Sequence, residues 1–204
     1  MSKSDYVWVM DKLTQDAFDQ IFLKARSHNG WLDQDVDPEL LQKVYDTMKF
    51  GPTSANSSPA RLVFVQSGEA KEKLLACMDK GNIEKTKSAP VVAIIAHDMK
   101  FYDKLPELFP HADARAWFAG NEKLIETTAF RNGTLQGAYL MIAARMHGLD
   151  CGPMSGFDNA KVDATFFKGT PWRSNFLCAL GHGDVKRLFP RSPRLDFNDA
   201  CKIL

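Results

Sequence analysis

Five short segments of the chain combine hydrogen-bond donors or cations with residues that form irregular backbone, and each lies beside an expected core element. Arginine forks suit phosphate oxygens, and a glycine next to a ligand lets the backbone approach closely. The segments are ARSHN (25–29), PTSANSSP (52–59), GNIEK (81–85), GPMSGF (152–157) and RSPR (191–194). Each alone also fits a plainer interpretation, as a helix end, a turn, a solvated connection or a basic tail. They are nevertheless the segments whose residue types suit a binding site.

Motifs for other kinds of chemistry are missing from the sequence. The stretch GHGDVK at 181–186 begins like a dinucleotide-binding fingerprint, but it has no third glycine and no helix is expected after it. There is no Walker loop, no HExxH and no GxSxG, and the five histidines lack metal-ligand spacing, so no metal site is predicted. His97-Asp98 is more typical of a strand end than of a catalytic dyad. The four cysteines form no CxxC pair, and we expect all of them to be reduced.

The composition is that of an ordinary globular protein. The 204 residues suit one domain over 1–204, with a sizeable core. A net charge of +1 favours neither nucleic acid nor a membrane surface as a partner. The apolar run from Pro90 to Ala96 is too short to cross a bilayer, and the N-terminus lacks the apolar core of a signal peptide. We therefore expect a cytoplasmic protein, with residues 1–14 as a flexible extension.

Helices and strands are expected on either side of these segments. Apolar residues at helical spacing predict helices, and short continuous apolar runs predict buried strands. The expected helices are 16–25, 38–48, 69–78, 122–146 and 158–167, and the expected strands are 62–66, 91–96 and 175–183. Loops are expected at 81–90 and 149–158, and a loop with a short helix at 99–122. Because helices outnumber scattered strands, the pattern indicates the α+β class, with the 122–146 helix in the core or in a dimer contact.

The order and spacing of the five segments resemble those of the nitroreductase family of FMN-dependent oxidoreductases, from about Phe18 to Leu204. The family's arginine-serine motif is similar to Arg26-Ser27, and its PSSxNxQP loop is similar to residues 52–59. Its NxxK motif before a strand resembles residues 82–85, and its P[IM]xG[FM] motif resembles residues 153–157. The resemblance implies a three-layer α/β/α sandwich with a mostly antiparallel central sheet, in an intertwined homodimer.

The resemblance also implies FMN as the cofactor and NADH or NADPH as the electron donor. A hydride would pass through flavin N5, by a ping-pong mechanism, to a small-molecule acceptor, with FMN at the subunit interface. The backbone around Ser155 and Gly156 would face N5 as the catalytic contact. Lys85 would stabilise negative charge near N1. The implied cofactor-binding residues are Arg26, Ser27, His28, Asn29, Pro52, Thr53, Ser54, Asn56, Asn82, Lys85, Pro153, Met154, Ser155, Gly156, Arg191 and Arg194.

Two departures from the family pattern bear on the substrate. Asn29 stands where the family often has a lysine or arginine, and Ser58 replaces the more usual glutamine. Both changes are similar to the malonic semialdehyde reductase subgroup, as are the stretches HNGW, GPTSAN, FYDKLPELFPH, TAFRN and GPMSGF. This similarity implies reduction of malonic semialdehyde to 3-hydroxypropionate, a step of pyrimidine catabolism. The carboxylate of malonic semialdehyde needs a cation in the site, and Arg115 and Arg131 are the candidates.

Other functions stay open from the sequence. Within the same fold, the alternative is a broad reductase of nitroaromatics or quinones. A second class is a flavin-binding protein without turnover, and a third is an interaction domain without a cofactor. The choice between NADH and NADPH is not encoded in any motif of the chain.

Overall fold

The computed structural model describes residues 11–66 and 68–204, so most of the predicted N-terminal extension lies outside the described residues. Helix α1 continues directly into a π-helical turn, Asp19–Leu23. The helices are α1 Gln15–Phe18, α2 Pro38–Met48, α3 Gly68–Leu75, α4 Ile83–Ser88, α5 Leu105–Leu108, α6 Arg115–Phe118, α7 Glu122–Met146, α8 Asn159–Phe166 and α9 Phe197–Ala200. The strands are β1 Ala60–Val65, β2 Val91–Asp98, β3 Asp150–Met154 and β4 Trp172–Gly181. Single 3-10 turns cover Ser54–Asn56, Lys80–Asn82, Phe101–Lys104 and Val185–Arg187.

The four strands form one antiparallel sheet in the order β1-β2-β4-β3. Strand β2 lies inside the sheet and every one of its residues is buried, which explains its continuous apolar run. Strands β1 and β3 are the two outer strands. The predicted α+β class and the mostly antiparallel sheet are confirmed.

Two expected loops contain regular structure instead. Residues 150–154 form β3, although Gly152 and Pro153 are poor strand residues. Proline, which lacks a backbone N–H, is tolerated here because β4 is the only full strand beside β3 among the described residues, and the bridge on the other edge is at Cys151 and not at Pro153. Residues 83–88 form α4. The next residue, Ala89, is extended, as expected from the steric restriction that Pro90 places on its predecessor.

Helices cover both faces of the sheet, so the predicted three-layer arrangement is confirmed. On one face, Leu74 of α3 and Val162 of α8 pack in a core with Leu177. On the other face, Val44 of α2 and Leu140 of α7 pack in a second core. Among the described residues, no helix is long and apolar enough to span a membrane.

Helix α7 has the predicted bounds and lies in the core. It begins at the cap residue Asn121, whose Oδ1 accepts a bond from the Leu124 N–H at 3.1 Å. Small residues bring it close to the sheet: a Cβ on Gly137 would lie 2.5 Å from the Phe176 ring. Its buried face is not wholly apolar, because Thr128, Asn132 and Gln136 are also buried there.

A small third core lies at the start of α7. Residues 99–121, here called the cap segment, form short turns of helix around Phe101, Leu105 and Phe118. These side chains pack on Ile125 and Ala129 of α7. The segment that the sequence predicted as a loop with a short helix is therefore an ordered unit with its own apolar centre.

Candidate functional site

A cleft of about 570 Å³ lies where the first segment of the chain meets the last. It is called the arginine cleft here, because four arginines line it together with the hydroxyls of two serines. Its polar lining residues are Arg26, Ser27, Asn29, Arg145, Arg191, Ser192 and Arg194. Such a set of cations and hydroxyls is suited to an anion with several oxygens, such as a phosphate.

Hydrogen bonds to backbone carbonyls hold the arginines in the cleft. The Arg26 guanidinium donates to the Phe189 carbonyl at 2.5 Å, and Arg191 donates to the Ala25 carbonyl at 3.0 Å. The two distant segments 25–29 and 189–194 therefore brace each other. Arg194 donates only to the neighbouring carbonyls of Ser192 and Pro193.

Segment 26–29 is fixed because it adds to the outer edge of β3. Ser27 forms a parallel bridge with Cys151, and the His28 N–H donates to the Cys151 carbonyl at 3.0 Å. Ser27 and Asn29 line the cleft, whereas the side chain of His28 is turned to the interior and is only 4% exposed. His28 therefore supports the cleft wall in this geometry, and its predicted contact with a phosphate stays untested.

The His28 ring is packed between polar and glycine neighbours. Its Nε2 lies 3.4 Å from Asp150 Oδ1, and no hydrogen-bond partner for its Nδ1 lies among residues 11–66 and 68–204. Burial lowers the pKa of His28, with Asp150 acting in the opposite direction. A Cβ on Gly183 would lie 1.9 Å from His28 Nδ1, which explains one glycine of the rejected GHG motif.

Arg145 is a cleft residue that the sequence did not suggest. It lies in the last turn of α7 and donates to the Ile21 carbonyl at 2.8 Å. It supplies a positive charge to a cleft in which Asn29 replaces the family's usual cation. In the sequence it looks like an ordinary basic residue at a helix C-terminus, where cations are favoured by the helix dipole.

Two other predicted segments meet the cleft wall at Gly152. A Cβ there would lie 2.6 Å from the His28 carbonyl oxygen and 2.9 Å from Lys85 Cε. Lys85 is only 9% exposed and donates to the Pro153 carbonyl at 3.2 Å. Burial lowers the pKa of Lys85 because a desolvated ammonium is disfavoured. The structure thus brings Lys85 beside segments 26–29 and 152–156.

The neighbouring shelf is formed by Asn82, Ser155 and Gly156. The Asn82 side chain donates to the Gly156 carbonyl at 3.0 Å, and a Cβ on Gly156 would lie 2.5 Å from Asn82 Nδ2. No acceptor for the Gly156 N–H lies in the part of the chain that the structure describes. Met154, by contrast, is buried in the core, so only its backbone is available to a ligand.

The 52–59 segment lies apart from this group. It leads into β1, and β2 and β4 separate β1 from β3. Three strand spacings put about 14 Å between the two outer strands. Within one chain, Thr53, Ser54 and Asn56 therefore do not join the arginine cleft. The Pro52 carbonyl accepts a bond from the Tyr139 hydroxyl at 3.0 Å.

The two candidate substrate arginines lie elsewhere again. Arg115 is on α6, half exposed, and donates to Asp103 Oδ1 at 3.0 Å. Its guanidinium also lies 5.8 Å from the centre of the Tyr102 ring. Arg131 is exposed on α7, and no ion-pair partner for it lies within residues 11–66 and 68–204.

All four cysteines are free, as the sequence predicted.

Comparison with known proteins defines the family. The chain matches the nitroreductase family over residues 23–182. It is 62% identical over 194 residues to a protein of Burkholderia lata provisionally named NADH dehydrogenase/NAD(P)H nitroreductase, covering 95% of this chain and 100% of the relative. It is 63% identical over 186 residues to a Ralstonia pickettii protein with the same provisional name, HadB, covering 90% and 95%. The protein belongs to the nitroreductase family.

Solved structures show the same fold at low sequence identity. A nitroreductase-like protein of Bacillus subtilis, YdfN, superposes with a TM-score of 0.83 at 19% identity, covering 94% of this chain and all of that one. A protein of Exiguobacterium sibiricum, solved in complex with FMN, superposes with a TM-score of 0.81 at 20% identity, covering 96% and 100%. The predicted nitroreductase-like fold is confirmed.

Proposed function

We propose that the protein is an FMN-dependent NAD(P)H oxidoreductase. The observation that carries this proposal is that Gly152 packs Lys85 against the 26–29 wall of the arginine cleft, with the Asn82–Ser155–Gly156 shelf beside it. A phosphate bearing nearly two negative charges fits the four cations of the cleft. The provisional names of the relatives and the FMN complex of the Exiguobacterium protein agree with this choice of cofactor and donor.

Residues of the chain fit FMN from its tail to its ring. Arg26, Arg145 and Arg191 would hold the phosphate, with Ser27 donating a hydroxyl. Asn82 and Lys85 would bond the edge of the ring. The glycine at 156 lets its backbone pack against the Asn82 side chain, where a Cβ would clash, and so keeps Asn82 beside the Gly156 N–H. When bound, FMN supplies the two-electron chemistry between the nicotinamide and the acceptor.

The role of Lys85 follows from its burial. Its ammonium is held against one backbone carbonyl, and burial lowers its pKa, so its charge is incompletely compensated in the protein alone. A ligand that develops negative charge beside it would restore that balance. One charge-assisted hydrogen bond of this kind contributes about 1.5–3 kcal/mol.

We propose further that the active unit is a homodimer in which the 52–58 loop of one protomer faces the cleft of the other. The two parts lie on opposite edges of one sheet, so a single chain cannot join them around one ring. The C-terminal arm, defined as residues 188–204, exposes Phe189, Leu195, Phe197, Ile203 and Leu204. Strand β1 borders a groove of about 720 Å³ lined partly by Tyr45, Met48 and Phe64. Both features favour burial against a second copy.

For the acceptor, malonic semialdehyde stays the predicted substrate and requires a cation. Arg115 is already paired with Asp103, so it is a weaker candidate than Arg131. Arg131→Gln should raise KM for malonic semialdehyde, whereas Arg115→Gln should leave it close to the parent value.

A nitroaromatic or quinone is the second candidate acceptor. The cap segment presents Phe109 with His111 and Trp117 around it, at ring-centre distances of 5.4 and 6.0 Å. Trp117 is half exposed, and aromatic faces of this kind favour flat aromatic acceptors. The relatives' names also point to nitro compounds.

The visible absorption spectrum tests the cofactor, and anaerobic titration tests turnover. The purified protein should be yellow and should bleach with NADH or NADPH. Yellow protein that neither nucleotide bleaches would indicate a flavin-binding protein without turnover, and protein that FMN cannot reconstitute would indicate an interaction domain. Steady-state rates with malonic semialdehyde and with a nitroaromatic then separate the two acceptors. The cytoplasmic location remains a prediction.

A further inference from the structure

We propose that Asn132 and Gln136, on the buried face of α7, are positioning residues that clamp residues 53–60 in a strained shape. These residues contain most of the 52–58 loop and the first residue of β1, and they are called the 53–60 loop below. The inference rests on the proposed function, in which this loop lines the cofactor. Neither residue lines the arginine cleft. Asn132 ends the TAFRN stretch but has no implied role there, and Gln136 lies outside every motif named above.

The loop backbone is strained. Ala55 and Asn56 both have φ of 49°, and Ser58 has φ of 38°. All three lie in the left-handed region, which residues with a Cβ rarely adopt. Such conformations persist only where the surroundings over-determine them, and they cluster at sites that bind ligands.

The two amides hold the loop at both ends. Asn132 Oδ1 accepts the Ser54 N–H at 2.9 Å, and Gln136 Oε1 accepts the Ala60 N–H at 2.8 Å. The two residues are one helical turn apart, so the spacing of their oxygens fixes the span of the loop. Both are nearly fully buried, at 4% and 5% exposure.

The orientation of the Asn132 amide is itself fixed. Its Nδ2 donates to the Thr128 carbonyl at 2.9 Å, which directs Oδ1 towards the loop. The burial of a polar face on a core helix would be costly if its groups were unpaired. The loop backbone N–H groups are the partners that compensate this cost.

Two bonds inside the loop complete the clamp. The Ser58 N–H donates to Thr53 Oγ1 at 3.1 Å, and the Asn56 N–H donates to the Thr53 carbonyl at 3.1 Å. The Asn56 side chain donates to the Leu108 carbonyl at 2.8 Å, which ties the loop to the cap segment. Loss of either α7 amide would free one end, and the left-handed residues could then relax.

The test uses Asn132→Leu and Gln136→Met, which keep the size and remove the acceptor. The matched control is Asn159→Leu, since Asn159 also donates its amide, to the Ser174 carbonyl at 3.0 Å, far from the loop. The rescue variants Asn132→Asp and Gln136→Glu keep an acceptor oxygen at the same place. Each protein is compared by amide hydrogen exchange of the 53–60 backbone without flavin, and by FMN affinity.

We expect the Leu and Met variants to lose protection at Ser54 and Ala60 and to bind FMN about tenfold more weakly, while the acidic variants recover part of both. Asn159→Leu should lower only the melting temperature. Unchanged exchange at the loop in folded Asn132→Leu and Gln136→Met would overturn the proposal, as would an equal loss of FMN affinity in Asn159→Leu. If the parent itself binds no FMN, the proposed function fails, and the hydrogen exchange still decides whether the clamp exists.

Discussion

The arginine cleft and the 52–58 loop lie on opposite edges of the sheet, and they are built by different means. The cleft is formed by long cationic side chains that reach backbone carbonyls from chain segments distant in sequence. The loop has no charged residue, and its shape comes from strained backbone held by buried amides. The cationic side chains of the cleft suit a charged, flexible part of a ligand. The rigid backbone of the loop suits a flat ring. In the proposed dimer site, the two parts would therefore recognise different portions of one ligand.

The largest expected effect comes from a substitution in the arginine cleft. Arg26→Ala should weaken FMN binding by about 10- to 100-fold, since one charge-assisted contact is lost and the brace to Phe189 goes with it. Fluorescence titration of the flavin-free protein measures this. The matched control is Arg115→Ala, which removes an arginine from an exposed pair with Asp103 and should leave affinity within twofold. Equal affinity of Arg26→Ala and the parent would remove the cleft from the site.

Lys85→Met should slow flavin reduction about tenfold or more, because the cation beside the ring is lost while the apolar stem is kept. Lys71→Met is the control. Lys71 is also a lysine whose pKa burial lowers, and it donates to the Ala89 carbonyl away from the cleft. Stopped-flow reduction under nitrogen compares the two. Equal slowing in both variants would assign the effect to lost packing and not to the charge of Lys85.

Gly183→Ala tests the support beneath the cleft. The new methyl would overlap the His28 ring at 1.9 Å, so we expect about 1–3 kcal/mol of destabilisation and loss of FMN affinity. Gly81→Ala is the control, since a Cβ there meets nothing within 4 Å. Urea denaturation reports both variants. If Gly183→Ala is as stable as Gly81→Ala, the packing of His28 against the GHG turn is wrong.

Acid should weaken the fold through its buried histidines. Burial lowers the pKa of His97, as does Arg173, while Asp163, Glu126 and Asp98 act in the opposite direction. Above the ordinary histidine pKa of about 6.5, the ring is neutral in both folded and unfolded chains, and its stability contribution is complete. As the pH falls below that value, the unfolded chain takes up a proton that the folded chain resists, so stability decreases. Burial also lowers the pKa of His28, so His28 adds to the loss of stability in acid.

The measurement is the melting temperature between about pH 7.5 and 5.5, for the parent and for His97→Phe. The phenyl ring keeps the edge-to-face contact with Phe130 and cannot titrate. The melting temperature of His97→Phe should fall less steeply with decreasing pH than that of the parent. Protonation of His28 should account for the fall that remains. Identical slopes would show that His97 does not contribute.

The smallest expected effect concerns the backbone strain of the 52–58 loop. Ala55→Gly should stabilise the protein by about 0.5–1 kcal/mol, since glycine adopts the left-handed conformation without strain. Ala70→Gly, in α3, should do the opposite by a similar amount because glycine weakens a regular helix. Thermal unfolding compares them. Destabilisation by both variants would mean that Ala55 is not strained.

Particular residues show what sequence could and could not provide. The Asp37-Pro38 start of α2 and the Glu122–Met146 bounds of α7 were predictable, because caps and apolar periodicity are local signals. Strand β3 was missed because Gly152 and Pro153 look like a turn, and only the neighbouring β4 makes them an edge strand. The fold class followed from the scattered strands in spite of this.

The sequence motifs predicted which segments would lie together, and their role in binding FMN stays a prediction. Residues 26–29 and 191–194 line one cleft, and residues 82–85 contact residues 153–156 beside its wall. Arg145 was missed because a cation in the last turn of a helix has a plain explanation. Asn132 and Gln136 were missed because polar residues in an otherwise apolar helix face carry no signal of their partners until the loop is placed.

The joining of the two parts across protomers is tested most directly by a mixed dimer. Arg26→Ala impairs the cleft and Asn132→Leu impairs the loop, and a dimer of one chain of each kind can be purified with two affinity tags. If each site takes its cleft from one protomer and its loop from the other, the mixed dimer keeps one intact site. We predict one tightly bound FMN per mixed dimer, against weak binding in either homodimer of the variants. Weak binding at both sites of the mixed dimer would contradict the account.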